Sequence, residues 1–343
     1  MRRKVVAFAP NFGWPMNGEG YQRLEAEYVE IPCKTEDEFI EATVDADAVF
    51  VPLEPLNRRI IGHMGKCRVI SVVGVGFDYV DVKAATEHGI CVSNVPDYCE
   101  EDMSDHTMAL LLSCARKIVL QVVGVKAGEW DSMVTPRIHA KLPPIFRLQG
   151  QTLGIVGLGR IGRKVVSKAK GFAMNVIAYD PYLTNNMAQE IGVDLVKLDY
   201  LLEKSDFVSL HLPLNDQTRR MFGLDQFKQM KHSAFLINTA RGGLVDEEAL
   251  HIAISKGLIA GAALDVLVSE PPTLDNPLLK LDNILITPHS GFYSIESKTQ
   301  LLTEAEEEVF RVFGGGWPKN FVNPEVKKNY LRKWGGHKSI LED

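Results

Sequence analysis

The segment Gln151–Pro181 constrains the fold of this chain more than any other. It reads QTLGIVGLGRIGRKVVSKAKGFAMNVIAYDP, so an apolar run at Leu153–Val156 leads into a glycine cluster and then into a basic, helical stretch. A second apolar run, Val176–Tyr179, ends on Asp180. This order of strand, glycine turn, helix, strand and acid is the context in which a G-x-G-x-x-G pattern indicates a dinucleotide-binding unit.

The three glycines have separate roles in such a unit. Gly157 permits the sharp turn, Gly159 lets the backbone approach a pyrophosphate, and Gly162 lets the helix pack closely on the strand. The start of the helix offers unpaired N–H groups and a positive dipole to the phosphates. Asp180 is placed to accept hydrogen bonds from the ribose hydroxyls of an adenosine, and it would repel a 2′-phosphate. The segment therefore predicts a site for NAD rather than NADP.

Length and composition limit the classes of protein to consider. A chain of 343 residues with ordinary apolar content favours two globular domains. The formal net charge of −6 argues against nucleic acid and anionic membranes as partners, since both require basic surfaces. The N-terminal apolar run is too short for a signal peptide, no stretch is long enough to span a membrane, and the five cysteines are scattered without a metal-binding spacing. We therefore expect a cytoplasmic protein with reduced thiols and no bound metal.

Apolar runs alternate with amphipathic segments along most of the chain, a pattern typical of doubly wound parallel sheets in the α/β class. Residues 1–99 contain four predicted strands, beginning with Lys4–Ala9, and are expected to form a small lobe. A boundary is expected near Asn94–Tyr98, where a proline restricts the chain. The glycine motif and the later runs predict a complete dinucleotide-binding sheet over residues 100–290. Residues 326–343 are predicted to form a polar, basic C-terminal tail.

Two segments are expected to be long helices, and the segment between the first of them and the glycine motif is expected to be a loop. The first helix is predicted to run from about Glu101 to Val125 on the basis of its recurring apolar residues. The loop, Gly128–Leu148, contains three prolines. The segment Ile295–Phe313 predicts an amphipathic helix with the acidic run EAEEE on its solvent-exposed face.

A glycine-flanked turn, Val73–Asp78, follows a predicted strand of the first lobe. Open α/β sheets bind ligands at the carboxyl ends of their strands, and the N–H groups of such a turn can hold a carboxylate. A plain tight turn explains the same residues equally well.

Three polar residues follow predicted strands of the second sheet, at the edge where a nicotinamide would lie. Arg241 comes after FLINTA, Glu270 after AALDVLVS and His289 after NILITP. Arginine provides a fixed cationic fork for a 2-keto acid, and histidine titrates in the range needed to protonate the reduced oxygen. A carboxylate beside the histidine favours its protonated form and orients the ring. Each residue alone is compatible with an ordinary loop, but the three together predict hydride transfer between NAD(H) and a 2-keto or 2-hydroxy acid.

Other polar residues of the second sheet are assigned lesser roles. Asp265, at the end of a predicted strand, is expected to bond the carboxamide of the nicotinamide. His211 is a candidate for the wall of the cofactor cleft. The remaining histidines have no comparable partners in the sequence and are predicted to be structural or solvent-facing; they are His63, His88, His106, His139, His232, His251 and His337.

Four runs resemble those of the D-isomer-specific 2-hydroxyacid dehydrogenases: VGLGRIGRKV, NTARGGLVDEEAL, GAALDVLVSEPP and TPHSGFYS. The likeness covers about residues 45–313. It implies a Rossmann NAD-binding domain, residues 100–290, inserted into a flavodoxin-like substrate-binding domain of residues 1–99 and 291–325. It also implies a homodimer through the NAD-binding domain, with the helix Glu101–Val125 as part of the contact.

The resemblance assigns roles to individual residues. The catalytic arginine, its paired acid and the acid–base histidine fall on Arg241, Glu270 and His289. The substrate carboxylate is expected to meet the backbone of Val75 and Gly76, and Arg241 and His289 are the other expected substrate-binding residues. The cofactor contacts fall on Gly157, Gly159, Arg160, Ile161, Gly162, Asp180, Leu212, Pro213, Thr239, Ala240, Arg241, Asp265 and His289.

Within the family, the runs NVPDYCEEDMSDHTMALLL and PHSGFYS are most similar to the C-terminal-binding-protein-like branch, which includes NADH-responsive corepressors. Phosphoglycerate dehydrogenases commonly carry a basic residue where this chain has Leu53-Glu54, and a glutamate there would repel a phosphate. We therefore predict an NAD-dependent dehydrogenase or reductase of a small acid such as glyoxylate, hydroxypyruvate or a D-lactate analogue. The alternatives are a phosphoglycerate dehydrogenase and a corepressor-like scaffold that senses NADH.

Overall fold

The computed structural model of this protein describes residues 2–8 and 18–335. The chain divides into two compact units, one formed by Met1–Tyr98 with Ser294–Asp343 and the other by Cys99–Tyr293. The second unit is therefore inserted in sequence between the two parts of the first. Each unit contains a parallel sheet with helices, so the predicted α/β fold class is confirmed.

The strands of the two units form separate sheets. Those of the first unit are β1 (Arg3–Ala7), β2 (Ala26–Glu30), β3 (Ala48–Val51), β4 (Val69–Val72) and β5 (Cys91–Ser93). Those of the second are β6 (Thr152–Val156), β7 (Asn175–Tyr179), β8 (Asp194–Leu195), β9 (Phe207–Leu210), β10 (Phe235–Asn238), β11 (Gly261–Leu264) and β12 (Ile284–Ile286). The spatial orders are β2-β1-β3-β4-β5 and β12-β11-β10-β9-β6-β7-β8. The first is the flavodoxin-like order, and the second, read from β8, extends the Rossmann order and places its switch point at β6.

The helices alternate with these strands along the chain. They are α1 (Gly18–Arg23), α2 (Glu36–Thr43), α3 (Arg58–His63), α4 (Val82–Glu87), α5 (Glu100–Arg116), α6 (Ile118–Lys126), α7 (Arg137–Lys141), α8 (Arg160–Gly171), α9 (Asn185–Ile191), α10 (Leu198–Lys204), α11 (Leu224–Gln229), α12 (Glu247–Ser255), α13 (Ile295–Phe313) and α14 (Lys327–Trp334). The sequence pattern missed α1, α9 and β2, which are five to seven residues long.

The starts of the helices differ in how their first N–H groups are satisfied. At α2, Thr35 accepts a hydrogen bond from the backbone of Glu38, whose side chain in turn accepts from the N–H of Thr35. At α12, Asp246 accepts from the N–H of Ala249. At α8, the residue before the helix is Gly159, which has no side chain to cap it. The start of α8 therefore has no side-chain cap from the residue that precedes it.

Apolar side chains cover both faces of the seven-stranded sheet. Adjacent residues of one strand belong to opposite clusters, as for Ile155 and Val156 of β6, because side chains alternate along a strand. One cluster includes residues of α10, α11 and α12, and the other includes residues of α5 and α8. The five-stranded sheet has its own buried cluster. Packing in these clusters fixes the ends of the strands from which the site residues extend.

The prediction of a single long helix over residues 101–125 is wrong. The chain forms α5 and α6, which are bent by 62° at Lys117. The backbone of Lys117 is left-handed, with φ of 56°, which costs a non-glycine residue about 1–2 kcal/mol. Its Nζ lies 4.1 Å from the centre of the Phe235 ring, a contact that partly offsets this cost. Within residues 2–8 and 18–335, no single helix is long and apolar enough to span a membrane, and only this bent pair meets the length and composition required.

Two further expectations are corrected by the structure. The segment predicted as a loop, Gly128–Leu148, contains the short helix α7. The acidic run of α13 does not lie wholly on an exposed face, since Glu306 is 3% and Glu308 is 2% exposed. Glu306 accepts a hydrogen bond from Tyr21 Oη at 3.0 Å, and Glu308 accepts from a backbone turn that follows the helix. Burial raises the pKa of Glu308 above its usual value.

The two ends of the chain belong to the first unit. The predicted strand Lys4–Ala9 is observed as β1, and Ala9 lies outside the described residues. The predicted tail contains α14, whose Trp334 donates its indole N–H to the carbonyl of Gly89 at 3.0 Å. The rest of that tail, 336–343, lies outside the described residues.

Candidate active site

The glycine loop (residues 157–162) connects β6 to α8 at the switch point of the seven-stranded sheet. Gly157 has a φ of +96°, and a Cβ there would lie 2.7 Å from the carbonyl oxygen of His211. A Cβ on Gly162 would overlap the carbonyl oxygen of Gly157. A Cβ on Gly159, in contrast, would meet no atom within 4 Å. The loop is therefore closed where helix meets strand and open where a pyrophosphate would approach the first residues of α8, Arg160 and Ile161.

Asp180 directly follows β7 and contacts the glycine loop. Its Oδ2 accepts a hydrogen bond from the N–H of Leu158 at 2.9 Å, and its Oδ1 accepts from the N–H of Tyr182 at 3.0 Å. This contact with the loop was not anticipated from the sequence, which assigned Asp180 to the adenosine ribose. A carboxylate oxygen has more than one lone pair, so both contacts are compatible with a ribose.

The other predicted cofactor residues lie at the carboxyl ends of strands of the same sheet. They are Leu212 and Pro213 after β9, Thr239, Ala240 and Arg241 after β10, Asp265 after β11, and His289 after β12. Asn238, the last residue of β10, shapes the second of these ends. Its side chain accepts from the N–H of Ala240 at 3.0 Å and donates to the carbonyl of Arg241 at 2.9 Å.

The structure brings the three predicted catalytic residues together. Glu270 Oε2 lies 2.5 Å from His289 Nδ1, and Glu270 Oε1 accepts from the N–H of Leu267 at 2.8 Å. Arg241 Nη1 donates to the carbonyl of Ala240 at 2.9 Å. Burial disfavours ionisation of Glu270, but the hydrogen bonds from His289 and Leu267 and the charges of His289 and Arg241 hold its pKa below the usual value. Glu270 is therefore an ionised partner for the imidazole at neutral pH.

His289 has an unusual backbone conformation. Its φ is +51°, in the left-handed region that non-glycine residues rarely adopt. Its N–H donates to the carbonyl oxygens of Asp265 at 2.9 Å and Thr287 at 3.0 Å. Such backbone conformations persist only where the surroundings impose them, and they are concentrated at functional sites.

Asp265 is the centre of a hydrogen-bond cluster around the histidine loop (residues 287–291). The residue is 1% exposed. Its Oδ1 accepts from Thr287 Oγ1 at 2.6 Å and from the N–H of Ser290 at 2.9 Å, and its Oδ2 accepts from the N–H of Gly291 at 2.8 Å. His106 Nε2 lies 3.0 Å from Thr287 Oγ1 and 3.3 Å from Asp265 Oδ1. The prediction that His106 lacks partners of this kind is therefore wrong.

These partners are far apart in the sequence, and no local pattern connects them. His106 and Thr287 are separated by 181 positions. Their contact depends on α5 packing against β10 and β11, which brings a histidine of that helix to the strand ends. The only local signal is that Asp265 and Thr287 each follow a predicted strand, and this places them at one edge of the sheet.

The predicted substrate residues Val75 and Gly76 lie in the first unit, in the turn after β4. Asn94 Nδ2 donates to the carbonyl of Val75 at 2.7 Å, and the N–H of Val95 donates to the carbonyl of Gly74 at 3.0 Å. Within the described part of the chain, the N–H groups of Val75 and Gly76 have no hydrogen-bond partner. The turn is thus held by the carbonyl groups of Gly74 and Val75, and the N–H groups of Val75 and Gly76 are compatible with binding of an anion.

A comparison with known proteins shows the family to which this chain belongs. Residues 108–291 match the family model described as D-isomer specific 2-hydroxyacid dehydrogenase, NAD binding domain. The chain belongs to this family. The predicted resemblance is therefore confirmed, and NAD is the cofactor of the matched domain.

Proteins named for different substrates are similar to this chain. A D-3-phosphoglycerate dehydrogenase of Methanocaldococcus jannaschii is 42% identical over 302 residues, which cover 87% of this chain and 56% of that protein. A glyoxylate reductase of Korarchaeum cryptofilum is 40% identical over 290 residues, which cover 84% of this chain and 86% of that protein. The crystal structure of a glyoxylate reductase from Paecilomyes thermophila superimposes with a TM-score of 0.82 at 27% identity, covering 95% of this chain and 99% of that one.

The chain thus spans little more than half of the first relative and most of the second. The names of these two relatives give two different substrates. The likeness to the C-terminal-binding-protein-like branch stays a prediction.

Proposed function

We propose that this protein is an NAD-dependent oxidoreductase that transfers a hydride between NAD(H) and a small 2-hydroxy or 2-keto acid of the glyoxylate, hydroxypyruvate or D-lactate type. The observation that carries the proposal is the 2.5 Å contact between Glu270 Oε2 and His289 Nδ1, with the charge of Arg241 acting on the same carboxylate. These groups lie at the strand ends of the NAD-binding unit, where the nicotinamide of a bound cofactor belongs.

In the proposed mechanism, His289 is the acid–base group. Because Nδ1 is bonded to an ionised carboxylate, it carries a proton, and Nε2 is left to face the substrate. When bound, NADH supplies the hydride. His289 Nε2 then donates a proton to the oxygen that gains charge, and Glu270 stabilises the imidazolium before that step. Arg241 orients the carboxylate of the acid and polarises its carbonyl with a planar, permanently charged group.

The proposal is tested by following NADH oxidation with a panel of 2-keto acids. The parent protein should turn over at least one of glyoxylate, hydroxypyruvate and pyruvate. His289→Ala should lower kcat by about 10²- to 10⁴-fold, as expected for loss of a general acid. His232→Ala is the matched control, since His232 is an exposed histidine whose Nδ1 contacts the carbonyl of Gly257. No turnover of any acid by the parent would refute the proposal.

A phosphoglycerate substrate is the second candidate, and the 42% identity to a D-3-phosphoglycerate dehydrogenase favours it. Against it, Glu54 rather than a basic residue follows β3, and a carboxylate repels a phosphate. Assays with 3-phosphoglycerate and NAD, beside D-lactate and glycerate at equal concentration, separate the two candidates. A kcat/KM for 3-phosphoglycerate above those of the unphosphorylated acids would establish the second.

The partners in the proposal are the acid and a second copy of this chain, with no nucleic acid or membrane. The support for a dimer is the apolar surface of the NAD-binding unit, because exposed apolar patches of this kind mark protein contacts. Large apolar side chains that are exposed in α6 and in the segment after it are Ile118, Val119, Val122, Val123, Val125, Trp130, Met133, Val134 and Phe146. The proposal also includes a cytoplasmic location, which the five free cysteines support.

The dimer is tested by measuring mass in solution. The parent should have twice the mass of one chain in light scattering, and Val123→Glu should shift it toward the monomer. Val44→Glu is the control, since Val44 is similarly exposed but lies at the end of α2 in the first unit. A monomeric parent would remove this part of the proposal and leave the catalytic part intact.

A further inference from the structure

The proposed mechanism uses His289 but does not explain what holds its backbone in place. A left-handed φ is unfavourable for a non-glycine residue and requires partners that fix it. The imidazole contact with Glu270 orients the ring and leaves the backbone of the loop free to relax. The N–H groups of His289, Ser290 and Gly291 all donate to the carbonyl or the carboxylate of Asp265, and the N–H of His289 also contacts the carbonyl of Thr287.

Asp265 holds the histidine loop on both sides of His289. Its carbonyl accepts from the N–H of His289, and its carboxylate accepts from Thr287 on one side and from the N–H groups of Ser290 and Gly291 on the other. Hydrogen bonds to an ionised acceptor are roughly twice as strong as neutral ones. Burial opposes the charge, and these donors together with His106 lower the pKa of Asp265. The loop therefore depends on one buried, ionised carboxylate.

His106 completes this arrangement from α5. The hydroxyl of Thr287 donates to Asp265 Oδ1 at 2.6 Å, so its oxygen is an acceptor toward His106 Nε2 at 3.0 Å. Nε2 must then carry a proton, and it points at both Thr287 Oγ1 and Asp265 Oδ1. The ring also packs against the loop, because a Cβ on Gly291 would lie 3.2 Å from His106 Cδ2. His106 thus fixes the rotamers of the two side chains on which the loop rests.

We propose that His106 is a positioning residue for the acid–base histidine, acting through Thr287 and Asp265 on the backbone of residues 287–291. The inference rests on the proposed function, because it assigns His289 as the group to be positioned. His106 touches neither the imidazole nor the reacting atoms. Its loss should therefore lower the rate of the chemical step, since small displacements of a catalytic group reduce the rate steeply, and should leave cofactor binding almost unchanged.

The experiment compares three variants with the parent in the full chain. His106→Leu removes the Nε2 donor, and His106→Gln retains a donor at a similar distance from the backbone. His251→Leu is the control, a partly buried histidine of α12 in the same unit. For each we would measure kcat and KM with the best 2-keto acid, the Kd of NADH by fluorescence, and amide hydrogen exchange of the peptide that contains residues 287–291.

The inference predicts that kcat and amide exchange change in His106→Leu while the Kd of NADH does not. His106→Leu should lower kcat at least about tenfold, change the Kd of NADH by less than about twofold, and speed exchange of the histidine-loop amides. His106→Gln should restore kcat to within about threefold of the parent. The inference is overturned by a kcat within twofold of the parent in His106→Leu, or by equal losses of kcat and NADH affinity without rescue by glutamine.

The test also covers two other cases, an inactive parent protein and a His106→Leu variant that does not fold. If the parent turns over no 2-keto acid, the proposed function fails, and exchange of the loop amides alone decides whether His106 holds the loop. Unchanged exchange in His106→Leu would then refute that role too. If His106→Leu does not fold, Thr287→Val takes its place, because it removes the shared hydroxyl at nearly constant volume and is judged by the same criteria.

Discussion

The glycine loop and the histidine loop follow strands of the same sheet, β6 and β12, and both contain left-handed backbone. In the glycine loop, Gly157 adopts this conformation without steric cost and Gly162 admits a close contact because it lacks a side chain. In the histidine loop, His289 bears a full side chain and adopts φ of +51° only with partners from elsewhere in the unit.

The two loops differ in which residues impose their backbone conformation. The glycine loop obtains its shape from its own residues, so any side chain added there acts directly on the fold and on the phosphate site. The histidine loop obtains its shape from Asp265 and its ring orientation from Glu270, so substitutions far from it in sequence should act on the chemistry. The following predictions test this contrast, from the largest expected effect to the smallest.

Gly162→Ala should weaken NADH binding at least about a hundredfold, which corresponds to about 2.7 kcal/mol. The new Cβ would overlap the carbonyl oxygen of Gly157, so α8 must move away from β6. Gly171→Ala, at the end of the same helix, has no atom within 4 Å of its Cβ and should leave binding unchanged. Fluorescence titration of both variants with NADH checks this. Equal affinities in the two variants would show that the loop tolerates side chains.

Glu270→Gln should lower kcat by about ten- to a hundredfold with little change in the Kd of NADH, because the imidazolium of His289 loses its anionic partner. Asp199→Gln, an exposed acid of α10, is a control of the same charge change. Steady-state kinetics and NADH titration measure the two quantities. A loss of NADH affinity as large as the loss of kcat would place Glu270 in cofactor binding instead.

The same variant has a predicted effect on stability against pH. The pKa of Glu270 is lowered on folding, so its ionised form stabilises the protein above the unfolded pKa of about 4.3, and this contribution is lost as the pH falls through the lower folded pKa. Urea unfolding of the parent and of Glu270→Gln between pH 3 and 7 should show a stability difference that is constant above about pH 5 and shrinks below about pH 4. A difference that grows on acidification would contradict the sign.

Asp180→Ala should narrow the preference for NADH over NADPH by about tenfold, since the repulsion of a 2′-phosphate is removed. The variant also loses the acceptor for the N–H of Leu158, so affinity for both cofactors should fall together with the narrowing. Asp194→Ala, an exposed acid at the start of β8, provides the control. A parent with equal affinity for the two cofactors would rule out selection by Asp180.

Ser290→Ala should leave kcat within about twofold of the parent. Asp265 contacts the backbone N–H of this residue, and alanine keeps that N–H. The result is informative because the neighbouring His289 is the proposed acid, so a large loss in Ser290→Ala would mean that the loop depends on side chains of its own. Steady-state kinetics with the best 2-keto acid measures this.

The sequence predicts the parts of this site that are encoded locally. The glycine spacing and the acid that follows it predict the loop and Asp180, while Arg241, Glu270 and His289 stand out because each follows an apolar run that forms a strand. It does not predict the role of His106, because that histidine meets Thr287 only after α5 has packed on the sheet. The sequence also does not predict that Glu306 and Glu308 of α13 are buried, because their partners come from Tyr21 and from the turn after the helix.

The bend between α5 and α6 at Lys117 is also not predicted from the sequence. The apolar residues of α5 and α6 continue with helical spacing, so periodicity predicts one helix. The bend depends on the left-handed backbone of Lys117 and on its contact with Phe235, which belongs to β10. Neither is visible in a window of sequence, because lysine is an ordinary helix residue.

The buried Glu308 also limits how far the chain can be truncated from its C-terminal side. Its carboxylate accepts from the N–H groups of Lys319 at 2.8 Å and Asn320 at 3.3 Å, both beyond the end of α13. A few residues later, the side chain of Asn323 accepts from the N–H of Val92 at 2.8 Å, within the edge strand β5. A version trimmed after α13 would leave a buried acid without donors and an edge strand uncovered.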